Sequence, residues 1–120
     1  MWVSALGTFR ARHTCFVGEL PTGVVTFLFT DVVGSTRLWA EFHDAMEADL
    51  VVHDEVVRAA IESRGGYVFS TSGDAFVAAF TRPGDAAAAA IHAQRELAAR
   101  DWSVPDGVRL RMGIHTGAAN

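Results

Sequence analysis

Two aspartates stand in glycine-bearing turns beside apolar runs: Asp31 in Phe29-Thr30-Asp31-Val32-Val33-Gly34-Ser35-Thr36 and Asp74 in Ser72-Gly73-Asp74-Ala75-Phe76. A magnesium ion is commonly held by only one or two protein carboxylates, with substrate phosphates completing its shell. A pair of carboxylates delivered from strand ends therefore points to nucleotide chemistry. An aspartate beside glycine more often does nothing but accept backbone hydrogen bonds in a turn, so the weight of the pair depends on the elements that carry it.

Those elements follow from hydrophobic pattern. Val24 to Thr30 is β-branched, aromatic and almost continuously apolar, as expected of a buried central strand. After Gly34, with Ser35 and Thr36 as N-cap candidates, apolar residues recur at spacings of three and four from Leu38 to Ile61, the mark of an amphipathic helix. So long an uncapped run in a small domain is expected to break near His43-Asp44. Arg64-Gly65-Gly66 reads as a left-handed helix end. Tyr67–Thr71 and Ala75–Phe80 flank the tight Ser72-Gly73-Asp74 connection of a hairpin, with Asp74 at its tip. Pro83-Gly84-Asp85 punctuates an alanine-rich helix from Ala86 to Arg100. Val108, Leu110, Met112 and Ile114 then alternate with Arg109, Arg111, Gly113 and His115, predicting a strand with one buried face and both arginines solvated. The order βαββαβ predicts an α+β fold: a ferredoxin-like antiparallel sheet with two helices on one face.

Composition narrows the function. In 120 residues, half hydrophobic and a fifth charged, there is material for one core. A net charge of −4 argues against a nucleic-acid partner, which asks for a basic face. The single cysteine, Cys15, forms no internal disulfide, and no run of 18 apolar residues suggests a membrane span, so a cytoplasmic address without membrane is expected. Residues 1–19 show no periodicity and no secretory pattern, and are expected to form a poorly structured extension ahead of a domain at 20–120. The five histidines form no ligand cluster, and each is expected to be solvated or locally bonded.

From about Leu20 onward the chain resembles the catalytic domain of the class III adenylate and guanylate cyclases, in particular the bacterial branch. The resemblance rests on Pro21-Thr22-Gly23, the segment Phe29 to Trp39, Gly65 to Phe69, Gly73 to Phe76 and Arg111-Met112-Gly113-Ile114-His115-Thr116-Gly117, in that order. It implies that Asp31, Asp74 and the main-chain carbonyl of Val32 bind two Mg2+ or Mn2+ ions. It further implies that the backbone around Val33, Gly34, Ser35 and Thr36 cradles phosphates of ATP or GTP, and that a cyclic nucleotide and pyrophosphate are formed by a two-metal reaction.

Two departures qualify that expectation. The family's adenine-reading lysine corresponds to Ser70, a neutral hydroxyl that cannot replace an ammonium, so the base-recognition position is degenerate. The family's transition-state asparagine and arginine belong to a later segment, and Asn120, next to Gly117-Ala118-Ala119, does not correspond to that asparagine. The expectation is an adenylate cyclase-like domain working as a homodimer or with a complementing cyclase chain. Its alternative is a non-catalytic remnant or regulatory module that binds a nucleotide or partner without turnover.

Overall fold

The strand that should be most buried is the sheet's organiser. In the computed structural model, which describes residues 23–119, β1 (Gly23–Val32) pairs antiparallel with β3 (Ala75–Phe80) on one side and β4 (Leu110–Ala119) on the other. With β2 (Tyr67–Ser72) beyond β3, the order is β2-β3-β1-β4, which is the ferredoxin-like arrangement the element order predicts. The expected extension at residues 1–19 lies outside the described residues.

Three helices cover one face, because the first helical run breaks where the sequence suggested. The periodic segment divides into α1 (Ser35–Glu41) and α2 (His43–Ser63) at Phe42, whose φ of −135° and ψ of 49° leave the helical region. The hinge is bonded on both sides: Phe42 donates its N–H to Leu38, and its carbonyl accepts from Met46. The end of α2 is a Schellman motif, with Gly66 donating to Ile61 and Gly65 to Glu62. The third helix, α3 (Pro83–Ala98), begins earlier than the alanine run, because Pro83 occupies the first helical position, where its missing N–H has no cost.

Strand alternation sorts the interior into two sets. Leu28 and Val32 of β1 join Phe76, Ala78 and Phe80 of β3 against Met46, Val57 and Ile61 of α2. Val25, Phe27 and Phe29 form a separate buried cluster with Val77 and Ala79, against which Phe69 packs; the odd-numbered β1 residues thus define the face away from the helices. In β4 the predicted buried face runs out. Leu110 is buried, but Ile114, although paired with the buried Leu28, is 47% exposed, because β4 is the edge strand of the sheet.

A buried aspartate fixes the connection into β4. Asp49 of α2 accepts the backbone N–H of Ser103 through both carboxylate oxygens and that of Val104 at 2.9 Å. The indole of Trp102 donates to the carbonyl of Leu97, closing the end of α3. Among the described residues no helix is long and apolar enough to cross a membrane.

Candidate functional site

The end of β1 and the β2–β3 hairpin meet at the two aspartates. Ser72 and Ala75 are partners across the ladder, leaving Gly73 and Asp74 as a two-residue turn. Gly73 has φ +59° and Asp74 does not share the left-handed conformation, the pattern of a type II′ turn with glycine at its first central position. That turn directs the Asp74 side chain to β1, where Oδ1 accepts the N–H of Val32 at 3.0 Å. In an extended strand the N–H and C=O of one residue point to the same edge. The Val32 carbonyl is therefore directed to the hairpin side as well, and Val33 turns the other way, donating to the carbonyl of Arg109 at 2.8 Å.

Asp31 lies one residue before this contact and, by alternation, on the face away from the helices. Its ladder partner is Arg111. The guanidinium grips the carboxylate in a fork, Nε to Oδ1 at 3.0 Å and a terminal nitrogen to Oδ2 at 2.8 Å. The Asp31 side chain is 18% exposed and that of Arg111 73%. Arg111 is thus exposed as predicted, but it is not merely solvated: its pKa is raised above the ordinary arginine value by the hydrogen bonds and charge of Asp31. It stays a cation at every pH at which the protein is handled. Local alternation could not reveal this pair, since it depends on the β1–β4 register; the usable signal was an arginine on the strand that flanks Asp31.

The structure places the other expected residues as follows. Gly34, with φ +66°, is itself the N-cap of α1, and neither Ser35 nor Thr36 makes a capping side-chain bond. The left-handed turn at Gly34 carries the chain from β1 directly into the helix, so the two hydroxyls already lie within its first turn. Ser70 follows an irregularity between Val68 and Ser70 in the β2–β3 ladder and is the partner of Val77. Val77 belongs to the cluster away from the helices, so Ser70 shares a face with Asp31. Ladder spacings put their backbones about 12 Å apart, so the two are not brought together. His53 is locally bonded, through Nδ1 to Asp54 at 2.8 Å, and it is fully buried rather than solvated, with its Nε2 unpartnered and its ring edge-on to Phe76.

The donors present suit a hard cation: two carboxylates and a main-chain carbonyl, all oxygen. Among the described residues no group of three or more His, Cys, Asp and Glu side chains could hold a metal ion.

Fold and turn geometry together define a class III nucleotide cyclase domain. The chain belongs to this family: the model of the adenylate and guanylate cyclase catalytic domain matches residues 19–119. It is 35% identical over 116 residues to an adenylate cyclase of Lachancea kluyveri, covering 81% of this chain and 6% of that protein. It is 44% identical over 99 residues to an uncharacterized protein of Mycobacterium tuberculosis, covering 81% of this chain and 32% of the relative. The fold matches an adenylate cyclase from Trypanosoma brucei in its monomeric state with a TM-score of 0.77 at 28% identity, over 82% of this chain and 57% of that one. The chain therefore spans only part of each of these relatives.

Proposed function

We propose that this chain carries the metal-binding part of an adenylate cyclase-like catalytic centre, which converts ATP to 3′,5′-cyclic AMP and pyrophosphate. The observation that carries the reading is the bond from the Val32 N–H to Asp74 Oδ1, which draws the hairpin-tip carboxylate to the strand end that bears Asp31. Asp31, Asp74 and the Val32 carbonyl would hold Mg2+ or Mn2+. Such ions, when bound, supply activation of a hydroxyl nucleophile and neutralisation of phosphate charge. The residues themselves fix position. Val32 and Asp74 lock the two loops together, while the turn at Val33-Gly34 presents the unpaired N–H groups of the first turn of α1, at Ser35 and Thr36, to phosphate oxygens.

ATP is favoured over GTP because the named fungal and trypanosomal relatives are adenylate cyclases. Ser70 supplies no charge for reading either purine. The same serine favours a second reading, a module that binds nucleotide or a cyclase partner without turnover. Pairing with a second copy or a complementing cyclase chain is part of the proposal, because the family resemblance assigns transition-state groups to a segment beyond the matched motifs.

The test is formation of cyclic nucleotide by the purified chain with Mn2+ and ATP, then GTP, beside Asp31→Ala and Asp74→Ala. Turnover that both substitutions abolish supports the enzyme. A folded chain that binds the nucleotide yet yields no product, alone or mixed with a cyclase domain lacking its own metal aspartates, supports the binding module instead.

A further inference from the structure

The two carboxylates of the site are engaged very differently. Asp74 is held through one oxygen by a backbone N–H that cannot leave without opening the sheet end. Asp31 is held through both oxygens by a side chain, and that side chain is a cation. A forked guanidinium–carboxylate pair satisfies the charge and the in-plane lone pairs of the carboxylate together, so a metal ion and Arg111 compete for the same oxygens. Arg111 is also able to leave. It is 73% exposed on an edge strand, and a released guanidinium would be taken up by water.

We propose that Arg111 is a built-in competitor at the metal site, holding the place of a cation on Asp31 and releasing it only when a divalent ion is taken up. The inference rests on the reading of Asp31 and Asp74 as metal ligands. It adds a regulatory consequence: the resting site is neutralised internally, its metal affinity is set below what two free carboxylates would give, and whatever draws Arg111 away strengthens metal binding. Other nearby cations do not share the role. Arg37 is committed to Glu41 at 2.8 Å. Arg109 precedes β4, with its carbonyl bound to Val33, and makes no ion pair with Asp31, both of whose oxygens are taken by Arg111.

The experiment is Mn2+ titration of the whole chain, following free Mn2+ by electron paramagnetic resonance, for the native protein and for Arg111→Gln, Arg111→Lys, Arg109→Gln and Asp31→Asn. Circular dichroism of each variant establishes that it is folded. The expected result is Mn2+ binding about fivefold tighter in Arg111→Gln, the scale of losing one well-formed exposed ion pair. Arg111→Lys, which keeps the charge but not the fork, should fall between it and the native protein, and Arg109→Gln should match the native protein. Unchanged or weaker binding in Arg111→Gln overturns the proposal, as does equal tightening in Arg109→Gln, which would reduce the effect to general surface charge. Asp31→Asn separates the two levels. If it binds Mn2+ as well as the native chain, the metal-ligand reading itself fails; if it loses binding while Arg111→Gln shows no gain, only the competitor role fails.

Discussion

Two regions of this domain use buried or half-buried aspartates, and they use them in opposite ways. At the α2–β4 junction, Asp49 spends both oxygens on the backbone N–H groups of Ser103 and Val104. At the end of β1, Asp31 is tied to the exposed head of an arginine and Asp74 to a single N–H. A carboxylate satisfied by backbone is a structural clamp, because releasing it orphans donors that have no other partner. A carboxylate satisfied by a solvated side chain can exchange partners without disturbing the fold. The contrast separates Asp49, which spends both oxygens on backbone donors, from Asp31, whose partner can leave, and from Asp74, which commits only one oxygen to the backbone.

The comparison breaks if the packed side proves dispensable. Phe76 anchors the hairpin that carries Asp74, with its ring under His53 and Arg58. Phe76→Ala should cost about 4 kcal/mol, the range for emptying a buried aromatic site, read as a lowered urea midpoint. A loss below about 1 kcal/mol would mean that the hairpin is not held from the helix side.

Asp49→Ala sharpens the contrast most. It strands two backbone donors and should lower stability by about 3 kcal/mol, with Mn2+ binding retained wherever the fold persists. Asp74→Asn is the counterpart. The amide oxygen can still accept from Val32, so the cost should be about 1 kcal/mol or less, while Mn2+ binding is lost. If Asp74→Asn unfolds the chain and Asp49→Ala does not, the assignment of structural and functional aspartates is reversed.

The smallest effect is expected from Arg111→Gln on thermal unfolding. The guanidinium is exposed and its partner only partly buried, and exposed ion pairs contribute little, so the melting temperature should fall by a few degrees at most. The sign with pH is also set. The pKa of Arg111 is raised in the fold, so its pairing contribution is present below the ordinary arginine value and is lost only as pH climbs through the raised one. Between pH 6 and 9 the melting temperature should show no step that depends on Arg111.

Much of the fold was legible because it is written locally. The apolar run of β1, the break at Phe42, the glycine pair that ends α2 and the two-residue hairpin turn each depend on a few adjacent residues. The site was legible in part for the same reason, since Asp31 closes the apolar strand just before the Gly34 turn and Asp74 sits in a two-residue hairpin turn. What was not legible depends on register between distant segments. The fork between Asp31 and Arg111 needs the β1–β4 alignment, the clamp from Asp49 spans more than 50 residues to Ser103, and the burial of His53 follows from how α2 meets Phe76. The helix cap failed for a different reason. Glycine in the left-handed conformation can serve as N-cap itself, which displaced the more usual hydroxyls of Ser35 and Thr36.

The most direct test of the central claim is paramagnetic broadening of backbone amide signals by Mn2+, in the presence of a non-cyclisable ATP analogue. A metal held by Asp31 and Asp74 should erase the amides of Val32, Val33, Gly73 and Asp74 first, while those of Ser103 and Val104 at the Asp49 clamp persist. Broadening centred on the clamp or on the acidic surface of α2, with the β1 end and the hairpin tip untouched, would contradict the account.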